Sequence, residues 1–425
     1  MKSNINVLHD TYDGIFFLSA QHFAEEINNL NYSGSAGLSN QMKTFYEKTL
    51  IELASPNLIH DQFAQKKNIP ANSGKSIEFR KFESLGTDLE ALVLYENIIP
   101  DGQDLVSTDI VANICETGGY VKVGDTFQLT AIDPVLVQAT KKIAEQASIV
   151  ADKITRERMM EGTNVIFANG GVSRHTLTAD NTIKLADIFK AAAQLKGANA
   201  PSLDGSFVAI IHPYTSFELM QEDGVSNTWL DISKYKNAEK IYNGELGKVG
   251  GVRFVESTQA KIFRGRALAA DGSRTLTATA ASGGKVTVSG AEAGALVGRY
   301  VIIGGQLLYV TANTATQLTV VDPDDHVTAV TPTVNNSAVV YPGEGGAEGI
   351  SVYATVIMGA DAYATTGIGD GGIEHITHDK SQIGGPLNQF STVGWKLRKT
   401  AEILVDKYMV RLESCSKTFP NAEAN

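Results

Sequence analysis

Cysteine and long apolar runs are both scarce in this chain of 425 residues. The two cysteines, Cys115 and Cys415, lie far apart, so a disulfide framework is not expected. Apolar stretches such as FVAII (207–211) fall far short of the roughly 20 residues that a membrane-spanning helix needs. The start, MKSNINVLHD, has no apolar central run of the kind found in a secretory signal. We therefore expect synthesis in a reducing cytoplasm and no membrane partner.

Positive charge is also in short supply. The chain has 36 Lys and Arg against 47 Asp and Glu, a net charge of −11. Proteins whose main task is to neutralise phosphates carry clustered Lys and Arg, and the densest basic run here is KLRK (396–399). A run of four residues with three basic side chains more often forms a solvated strand edge than a nucleic-acid site. Any contact with nucleic acid is therefore expected to be weak or local.

Patterns that carry covalent catalysis or nucleotide binding are missing. No serine lies in a G-x-S-x-G elbow, and neither cysteine has a catalytic signature around it. The segment NSGKS (72–76) resembles the end of a phosphate-binding loop. However, Ile69 stands where that loop requires another glycine, and a strand pattern follows it instead of a helix. A turn that precedes a strand is the better interpretation.

Possible metal ligands occur in two places. His375 and His378 could face one metal on a helix, but the glycines before them favour a loop or strand, in which residues three apart point to opposite faces. The run DPDDH (322–326) begins like a calcium loop but lacks its later glycine and glutamate, although a calcium site shared by several loops stays open. We predict no catalytic, cofactor-binding or metal-binding residue, no cofactor and no enzymatic activity. A metal-dependent enzyme using the two histidines is a distant alternative.

A long helix is the clearest element that the sequence does contain. Asp133 and Pro134 suit its first positions, and Gly162 suits its end. An apolar stripe follows the helical period, and two pairs of opposite charges, Asp152 with Arg156 and Lys153 with Glu157, are assigned to the solvated side. The members of the stripe are Leu136, Ile143, Ala147, Val150 and Ile154. The pattern predicts a spine helix over residues 134–161.

Two alternating segments predict strands on either side of a long polar passage. They are SIEFRKF (76–82) and YVKVGDTFQL (120–129). Structureless connections of more than about 15 residues usually have a function of their own, so a protruding β-loop is expected here. Further along, a buried strand at 206–213 runs into a helix at 214–221, which predicts a small α/β unit.

The composition changes between residues 265 and 349. Helical periodicity disappears, and short Thr- and Val-rich runs alternate with turn signals, which is typical of a β-sandwich or barrel. The chain then resumes a strand pattern, so we interpret 265–349 as a domain inserted into a surface loop. A carbohydrate-binding or cell-surface-binding module is an alternative role for it. Its tyrosines, Tyr300, Tyr309 and Tyr341, are few and scattered along the sequence.

The segment GPLNQFSTVGWK (385–396) carries one of only two tryptophans in the chain. Val393, Trp395 and Leu397 alternate, which predicts the inward face of a strand. We expect this strand to pair with the later run through Val410 and Leu412, and Trp395 to pack beneath the spine helix.

The order of elements and several local segments resemble a known family. The matching segments are AIIHPYTSFELM (209–220), GVRFVEST (251–258), ISVYATVIMGADAYATTGI (350–368), GGIEHI (371–376), GPLNQFSTVGWK and ILVDKYMVRLES (403–414). They are similar to tailed-phage major capsid proteins of the Hong-Kong-97-like fold, and more narrowly to the coliphage N-four-type branch. The resemblance covers roughly 1–264 and 350–425.

The resemblance implies an α+β fold with an N-terminal arm, an E-loop, a peripheral domain and an axial domain, together with the inserted all-β domain. The implied bounds are 1–75 for the arm, 76–130 for the E-loop, 131–204 for the peripheral domain with its spine helix, 205–264 and 350–384 for the axial domain, 265–349 for the insert, and 385–425 for the C-terminal strands of the peripheral domain.

The implied function is that of a major capsid protein, which self-assembles into the icosahedral head around the double-stranded DNA of a tailed phage. Its partners would be further copies of itself in hexamers and pentamers, scaffolding, portal and decoration proteins, and non-specifically contacted DNA. It would be assembled in the host cytoplasm and reside in the virion. An encapsulin-like compartment or another phage shell or tube subunit is the structural alternative.

Overall fold

The computed structural model describes residues 59–425 except 71, 84, 86, 88–91, 95, 97–101, 131–134, 222–244, 335–337, 369–371 and 380–388. Most of the predicted N-terminal arm, Asp133 and Pro134, the middle of the predicted β-loop and residues 385–388 lie outside the described residues. Among the described residues, the contacts divide the chain into two units. The larger comprises 59–120, 142–376 and 394–425, and the smaller comprises 121–141 and 377–393.

The first described part of the chain is mostly extended. Its elements are the strands β1 (Gln65–Lys66), β2 (Ser76–Phe82), β3 (Ser107–Asn113) and β4 (Cys115–Gly124) and the helix α1 (Asp125–Thr130). The strands β2 and β3 form an antiparallel two-stranded sheet. The prediction of a strand over 120–129 is wrong in its second half, because the chain turns into α1 at Asp125. Asp125 carries its charge in the first turn, where it favours a helix.

The middle of the chain alternates helices with buried strands. Its elements are α2 (Val135–Met159), β5 (Val165–Phe167), α3 (Leu185–Gly197), β6 (Phe207–Ile211), α4 (Pro213–Gln221), β7 (Glu245–Val249), β8 (Val252–Glu256) and β9 (Ile262–Phe263). The predicted spine helix is α2, and the predicted strand-to-helix unit is β6 with α4.

The predicted β-rich insert is a closed six-stranded barrel. Its strands are β10 (Leu276–Ser282), β11 (Lys285–Ser289), β12 (Tyr300–Ile303), β13 (Gln306–Asn313), β14 (Gln317–Val321) and β15 (Ala338–Pro342). They close in the order β10-β11-β14-β13-β12-β15. The alternation of buried and exposed residues along β10 and β11 directs one side chain in two into the barrel, where Val286, Val310 and Val320 are fully buried.

The last strands are β16 (Val352–Met358), β17 (Tyr363–Gly367), β18 (Glu374–His378), β19 (Phe390–Ile403) and β20 (Met409–Ser414). They complete two sheets. One has seven strands in the order β5-β20-β16-β6-β8-β7, with β9 beside β16. The other has the order β1-β17-β19-β18, with β4 beside β19. Four short 3-10 turns lie at Ala168–Gly170, Arg174–Thr176, Ala347–Gly349 and Asp406–Tyr408.

The seven-stranded sheet is the centre of the larger unit, and both of its faces are buried. Phe207, Ala209 and Ile211 of β6 belong to the core on the side of α3, whereas Val208 and Ile210 belong to the core that contains Met159 of α2. Every residue of β6 and β16 is buried, which explains why their sequences are continuous apolar runs instead of alternating ones.

The barrel leaves and rejoins this sheet at neighbouring strands. Phe263 of β9 pairs with Val352 of β16, and Ile262 pairs with Tyr353. The two ends of the intervening segment therefore lie side by side, so the barrel can be accommodated without disturbing the sheet.

In the smaller unit, the end of β4 packs beside the start of β19. The Asp125 N–H donates to the carbonyl oxygen of Gln389 at 2.8 Å. The Lys122 ammonium lies 3.5 Å from the centroid of the Phe390 ring.

Candidate assembly surface

The β2–β3 hairpin of the larger unit is mostly exposed. Its strands pair from Ser76 with Asn113 to Phe82 with Ser107. Arg80 faces Asp109 across the pair, and its Nε donates to the Asp109 carboxylate at 2.9 Å. The hydrogen bonds to Asp109 and Glu78 raise the pKa of Arg80, so the guanidinium remains charged. A salt bridge this exposed stabilises the hairpin only weakly.

The far end of the hairpin presents large apolar side chains to solvent. Phe82 is 59% exposed and Leu105 is 63% exposed. The other exposed apolar residues of this region are Leu85, Leu92, Val93, Leu94, Val106 and Val111. Contiguous exposed apolar surface on a soluble protein marks an interaction site, and an isolated two-stranded ribbon is only marginally stable. The hairpin is thus built to be covered by another protein surface.

The root of the hairpin is fixed to the larger unit. Phe79 and Ala112 are buried and pack with Ala364 of β17, and Leu404 packs against the same cluster. One end of the hairpin is therefore anchored in a core while the other extends into solvent.

A buried polar network holds the segment that leads to the hairpin. Asp152 of α2 accepts hydrogen bonds from the His60 backbone at 2.9 Å and pairs with His60 Nδ1 at 2.7 Å. The next residue, Asp61, pairs with Lys399 of β19 and accepts a hydrogen bond from Thr155. The Tyr363 hydroxyl donates to the His60 carbonyl, and burial raises the pKa of Tyr363. Through these contacts, α2 and β19 hold residues 60–61 in place ahead of β1.

The sequence assignment of Asp152 and Arg156 to the solvated side of the helix is wrong. Asp152 is 2% exposed and Arg156 is 1% exposed. Both positions are buried because each has a partner distant in sequence: His60 for Asp152, and the carbonyl of Gln259, at 2.8 Å, for Arg156. Of the predicted stripe, Ile143 and Ala147 are fully buried, whereas Val150 and Ile154 are only partly buried.

A cavity of about 350 Å³ opens beside the network. Its walls include Asp61, Lys66, Asn68, Thr366 and Lys399. Two cationic groups and one carboxylate thus line a recess between β1, β17 and β19.

Trp395 lies where the sequence predicts it relative to the spine helix. Its indole Nε1 donates to Gln146 of α2 at 3.1 Å, and the side chain is 5% exposed. Val393 and Leu397 are buried as well, as predicted. However, the predicted pairing of this strand with β20 is wrong, because β19 pairs with β17, β18 and β4, and β20 pairs with β16 and β5.

The glycines before Tyr120 explain how β4 approaches this tryptophan. A Cβ at Gly119 would lie 3.3 Å from the Trp395 nitrogen, and a Cβ at Gly118 would lie 2.7 Å from the Trp395 carbonyl oxygen. Side chains at these two positions would separate the strands. Sequence reasoning missed this contact, although the Gly-Gly pair in β4 was the available signal.

The basic run 396–399 is neutralised within the chain. Lys396 and Arg398 pair with Glu116, Arg398 also pairs with Glu374, and Lys399 pairs with Asp61. These acidic partners come from distant parts of the sequence and leave little free positive charge at the run.

The segments with possible ligands occupy turns and an edge strand. Asn72 and Gly74 of NSGKS adopt positive φ in a turn directly before β2. His375 and His378 both lie on β18, which ends the sheet, and both are exposed. Asp325 accepts hydrogen bonds from the backbone of Val327 and from Thr328, and these bonds lower its pKa.

Two of the tyrosines in the barrel come together, contrary to their scattered positions in the sequence. Tyr300 and Tyr309 are cross-strand partners on β12 and β13, with ring centroids 5.3 Å apart. His326 stacks on Tyr309 at 3.9 Å and lies 3.2 Å from the Tyr300 hydroxyl. These three rings, which we call the ring cluster, lie on the outer wall of the barrel beside the exposed Val327.

Within the part of the chain that the structure describes, no group of three or more His, Cys, Asp or Glu side chains could hold a metal ion. None of the described helices is long and apolar enough to cross a membrane.

Comparison with known proteins places this architecture among viral shell proteins. The family model of the phage capsid protein matches residues 160–381, just over half of the chain. No protein of curated function matches the chain in sequence.

Two solved structures illustrate the similarity in fold. The capsid of Ralstonia phage GP4 has 11% sequence identity, covers 92% of this chain and 99% of its own, and has a TM-score of 0.56. The capsid of cyanophage Pam1 has 12% identity, covers 90% of this chain and 99% of its own, and has a TM-score of 0.52. At such low identity, the similarity concerns the fold.

Proposed function

The chain belongs to the phage capsid protein family and is a major capsid subunit, and we propose that its copies assemble as hexamers and pentamers into the icosahedral head of a tailed phage with double-stranded DNA. The mixed α+β fold is that of the Hong-Kong-97-like capsid proteins, with an additional β-barrel. The role is structural, and we propose that the protein has no enzymatic activity.

The observation that carries this proposal is the hairpin with its exposed apolar end. Phe82 and Leu105 are exposed to water in the single subunit. We expect a neighbouring subunit to cover both side chains in the assembled shell, because exposed apolar surface on a soluble protein marks an interaction site. Repeated contacts of this kind around symmetry axes close a shell. We therefore assign the hairpin to the E-loop within 76–130. We also propose that the arm, the peripheral domain, the axial domain and the insert have the bounds that the resemblance implies.

Charge supports the enclosure of DNA without tight binding. The net charge of −11 and the internal pairing of the run 396–399 argue against a strong phosphate-binding surface among the described residues. Scaffolding, portal and decoration proteins are the further partners that we propose, and the host cytoplasm is the proposed place of assembly. The amino-acid sequences of segments 251–258 and 350–376 support placement of the chain in the coliphage N-four-type branch.

The test is electron microscopy of the purified protein with a hairpin variant. We expect shells from the natural sequence, alone or with a scaffold, and loss of shells from Phe82→Ser with Leu105→Ser. Each buried apolar side chain contributes roughly 1.5–3 kcal/mol, so the protein concentration needed for assembly should rise more than about tenfold. Lys81→Ser, on the same strand, is the matched control and should assemble normally.

Two results would contradict the proposal. One is a natural protein that stays monomeric under every assembly condition. The other is a double variant that assembles as readily as the control. The folding stability of the double variant should match that of the control, because the replaced side chains are exposed in the subunit.

The ring cluster favours a second role for the barrel, namely attachment of the shell to surface polysaccharide. Tyrosine and histidine rings can pack against the apolar faces of sugars, and the hydroxyl and imidazole groups can bond with sugar hydroxyls. Shells of the natural sequence should be retained on immobilised host-envelope polysaccharide, and those of Tyr309→Ala should not. Equal retention of both, or retention of neither, would eliminate this second role.

A further inference from the structure

The barrel is joined to the seven-stranded sheet by two segments that touch each other. They are residues 264–275 before the barrel and residues 342–351 after it. A Cβ at Gly265 would overlap the Pro342 ring, so the two segments cross at van der Waals distance. Arg299 of the barrel ties them further, since it donates to the Ala267 carbonyl at 2.9 Å and to Glu344 at 3.1 Å.

The C-terminal segment, residues 416–425, lies across both joining segments. The Ser351 N–H donates to the Pro420 carbonyl at 2.8 Å, and the Ser351 hydroxyl donates to the Ala422 carbonyl at 2.6 Å. On the other joining segment, Arg264 donates to the carbonyls of Asn421 and Ala422. One short stretch of backbone therefore contacts both joining segments, the one before the barrel and the one after it.

The segment 416–425 is anchored to the sheet and its helices at its near end. Phe419 stacks on Tyr214 of α4, with ring centroids 4.2 Å apart, and its carbonyl accepts a hydrogen bond from the Tyr353 hydroxyl at 2.6 Å. Glu218 of α4 accepts bonds from Ser416 and from the Thr418 backbone, which lower its pKa.

The far end is anchored as well. The Asn425 amide donates to the Ala260 carbonyl at 2.7 Å, and its oxygen accepts from Arg156 of α2 at 3.0 Å. The burial of Arg156 is thereby explained, because it joins the spine helix to this segment. Both anchors belong to the part of the chain outside the barrel.

Between the anchors, Glu423 reaches the barrel side. Its carboxylate pairs with Arg274, just before β10, and also with Arg264. These two cations lower the pKa of Glu423. The carboxylate is largely exposed, so its ion pairs contribute little to stability. The backbone hydrogen bonds and the stacking of Phe419 on Tyr214 are the main contacts that hold the segment in place.

From these contacts, we propose that residues 416–425 act as a latch that holds the barrel in one orientation on the sheet. Without the latch, the barrel would lose the contacts that Arg264, Arg274 and Ser351 make with residues 420–423. It would keep its two joining segments, in which the glycines at 265, 343, 345 and 346 allow close packing, and we expect it to reorient about these segments. With the latch, every subunit presents its barrel in the same direction. The inference concerns the single chain and does not depend on whether the chain assembles.

The test measures the orientation of the barrel in the full-length, unassembled chain. Spin labels at Val327 of the barrel and at Val172 near β5, both highly exposed, report the distance between the two parts after Cys115→Ser removes the exposed thiol. We expect one narrow distance distribution for the natural latch and a broad one for Phe419→Ala with Glu423→Gln. Amide exchange at Ser351 should quicken about tenfold or more in that variant, because its acceptor has been released.

Lys417→Ala is the matched control within the latch, because Lys417 is exposed and its ammonium pairs with the exposed Asp180. It should leave both readouts unchanged. Should the double variant fail to fold, Arg274→Gln tests the same idea. It should speed exchange in residues 266–275 while leaving exchange in 416–425 as it was. A broad distribution for the natural chain, or a narrow one when exchange shows the latch detached, would overturn the proposal.

Discussion

Trp395 connects the spine helix to the strand layer through one side chain. It is buried, donates to Gln146 and lies against the Gly-Gly pair of β4. Trp395→Ala should lower the free energy of unfolding by about 3–5 kcal/mol, since truncation leaves a large cavity. Denaturant unfolding of the unassembled subunit measures this loss.

Gln146→Ala is the control for that substitution. It removes the hydrogen bond but not the packing, so we expect a loss of only about 1 kcal/mol. If the two variants were equally stable, the indole could not be a packing anchor.

His212 makes the start of α4 sensitive to acid. Its Nδ1 accepts the Tyr214 N–H at 3.2 Å, and its ring packs between Tyr214 and Tyr353. Burial lowers the pKa of His212 to about 4. The unfolded chain takes up the proton at a pKa near 6.5, whereas the folded chain does not. The stability is therefore complete above pH ~6.5 and decreases as the pH falls from there towards ~4.

The expected loss is about 2 kcal/mol between pH 7.5 and pH 5. His212→Gln removes the titrating group, so the difference in unfolding free energy between the natural chain and this variant should narrow by that amount across the same window. A difference that does not change with pH would show that His212 is not the responsible group.

Single elements were predictable where one periodicity governed them. The short Thr- and Val-rich runs within 265–349 form barrel strands, and the alternation is clear in β11 and β13, where a curved sheet has one buried side. The sixth strand, β15, was missed, although it closes the barrel by pairing with β10 and β12. A barrel closes only when all of its strands are paired. A segment as short as Ala338–Pro342 has too little sequence pattern to predict that pairing.

The predictions of helix and strand boundaries and of exposed helix faces are wrong where contacts with distant residues outweigh local preference. The strand through β4 ends at Gly124 and α1 begins, although the alternation continues through Phe127. On α2, Asp152 and Arg156 have the i, i+4 spacing of an ion pair on a solvated face. This spacing alone does not distinguish an exposed pair from two buried residues. Their burial depends on His60, Gln259 and Asn425, which no local pattern connects to them.

At the scale of the molecule, the barrel is an addition to the sheet and not part of its core. Its apolar residues form a cluster separate from those of the seven-stranded sheet, and its ends meet at the β9–β16 pair. Replacing residues 266–348 with a short Gly/Ser bridge should leave a folded subunit that still forms shells. Sedimentation and electron microscopy measure this outcome.

A second deletion serves as the comparison. Removal of residues 83–106 from the end of the hairpin should yield a folded subunit that does not form shells, because most of the exposed apolar side chains of the assembly surface, Leu105 among them, are gone. Insoluble protein after removal of the barrel would mean that the barrel is integral to the core.

The sequence by itself determined the classes of element, the site of the insertion, the apolar character of Trp395 and its neighbours, and the absence of a pattern for catalysis. These depend on composition and on periodicity over a few residues, which are local properties. The tertiary structure alone decided that β19 pairs with β17, that Tyr300 and Tyr309 meet His326, and that residues 416–425 bridge α2 to the base of the barrel. Such contacts join residues far apart in the chain. Their free energy depends on how whole elements pack, which no short window of sequence contains.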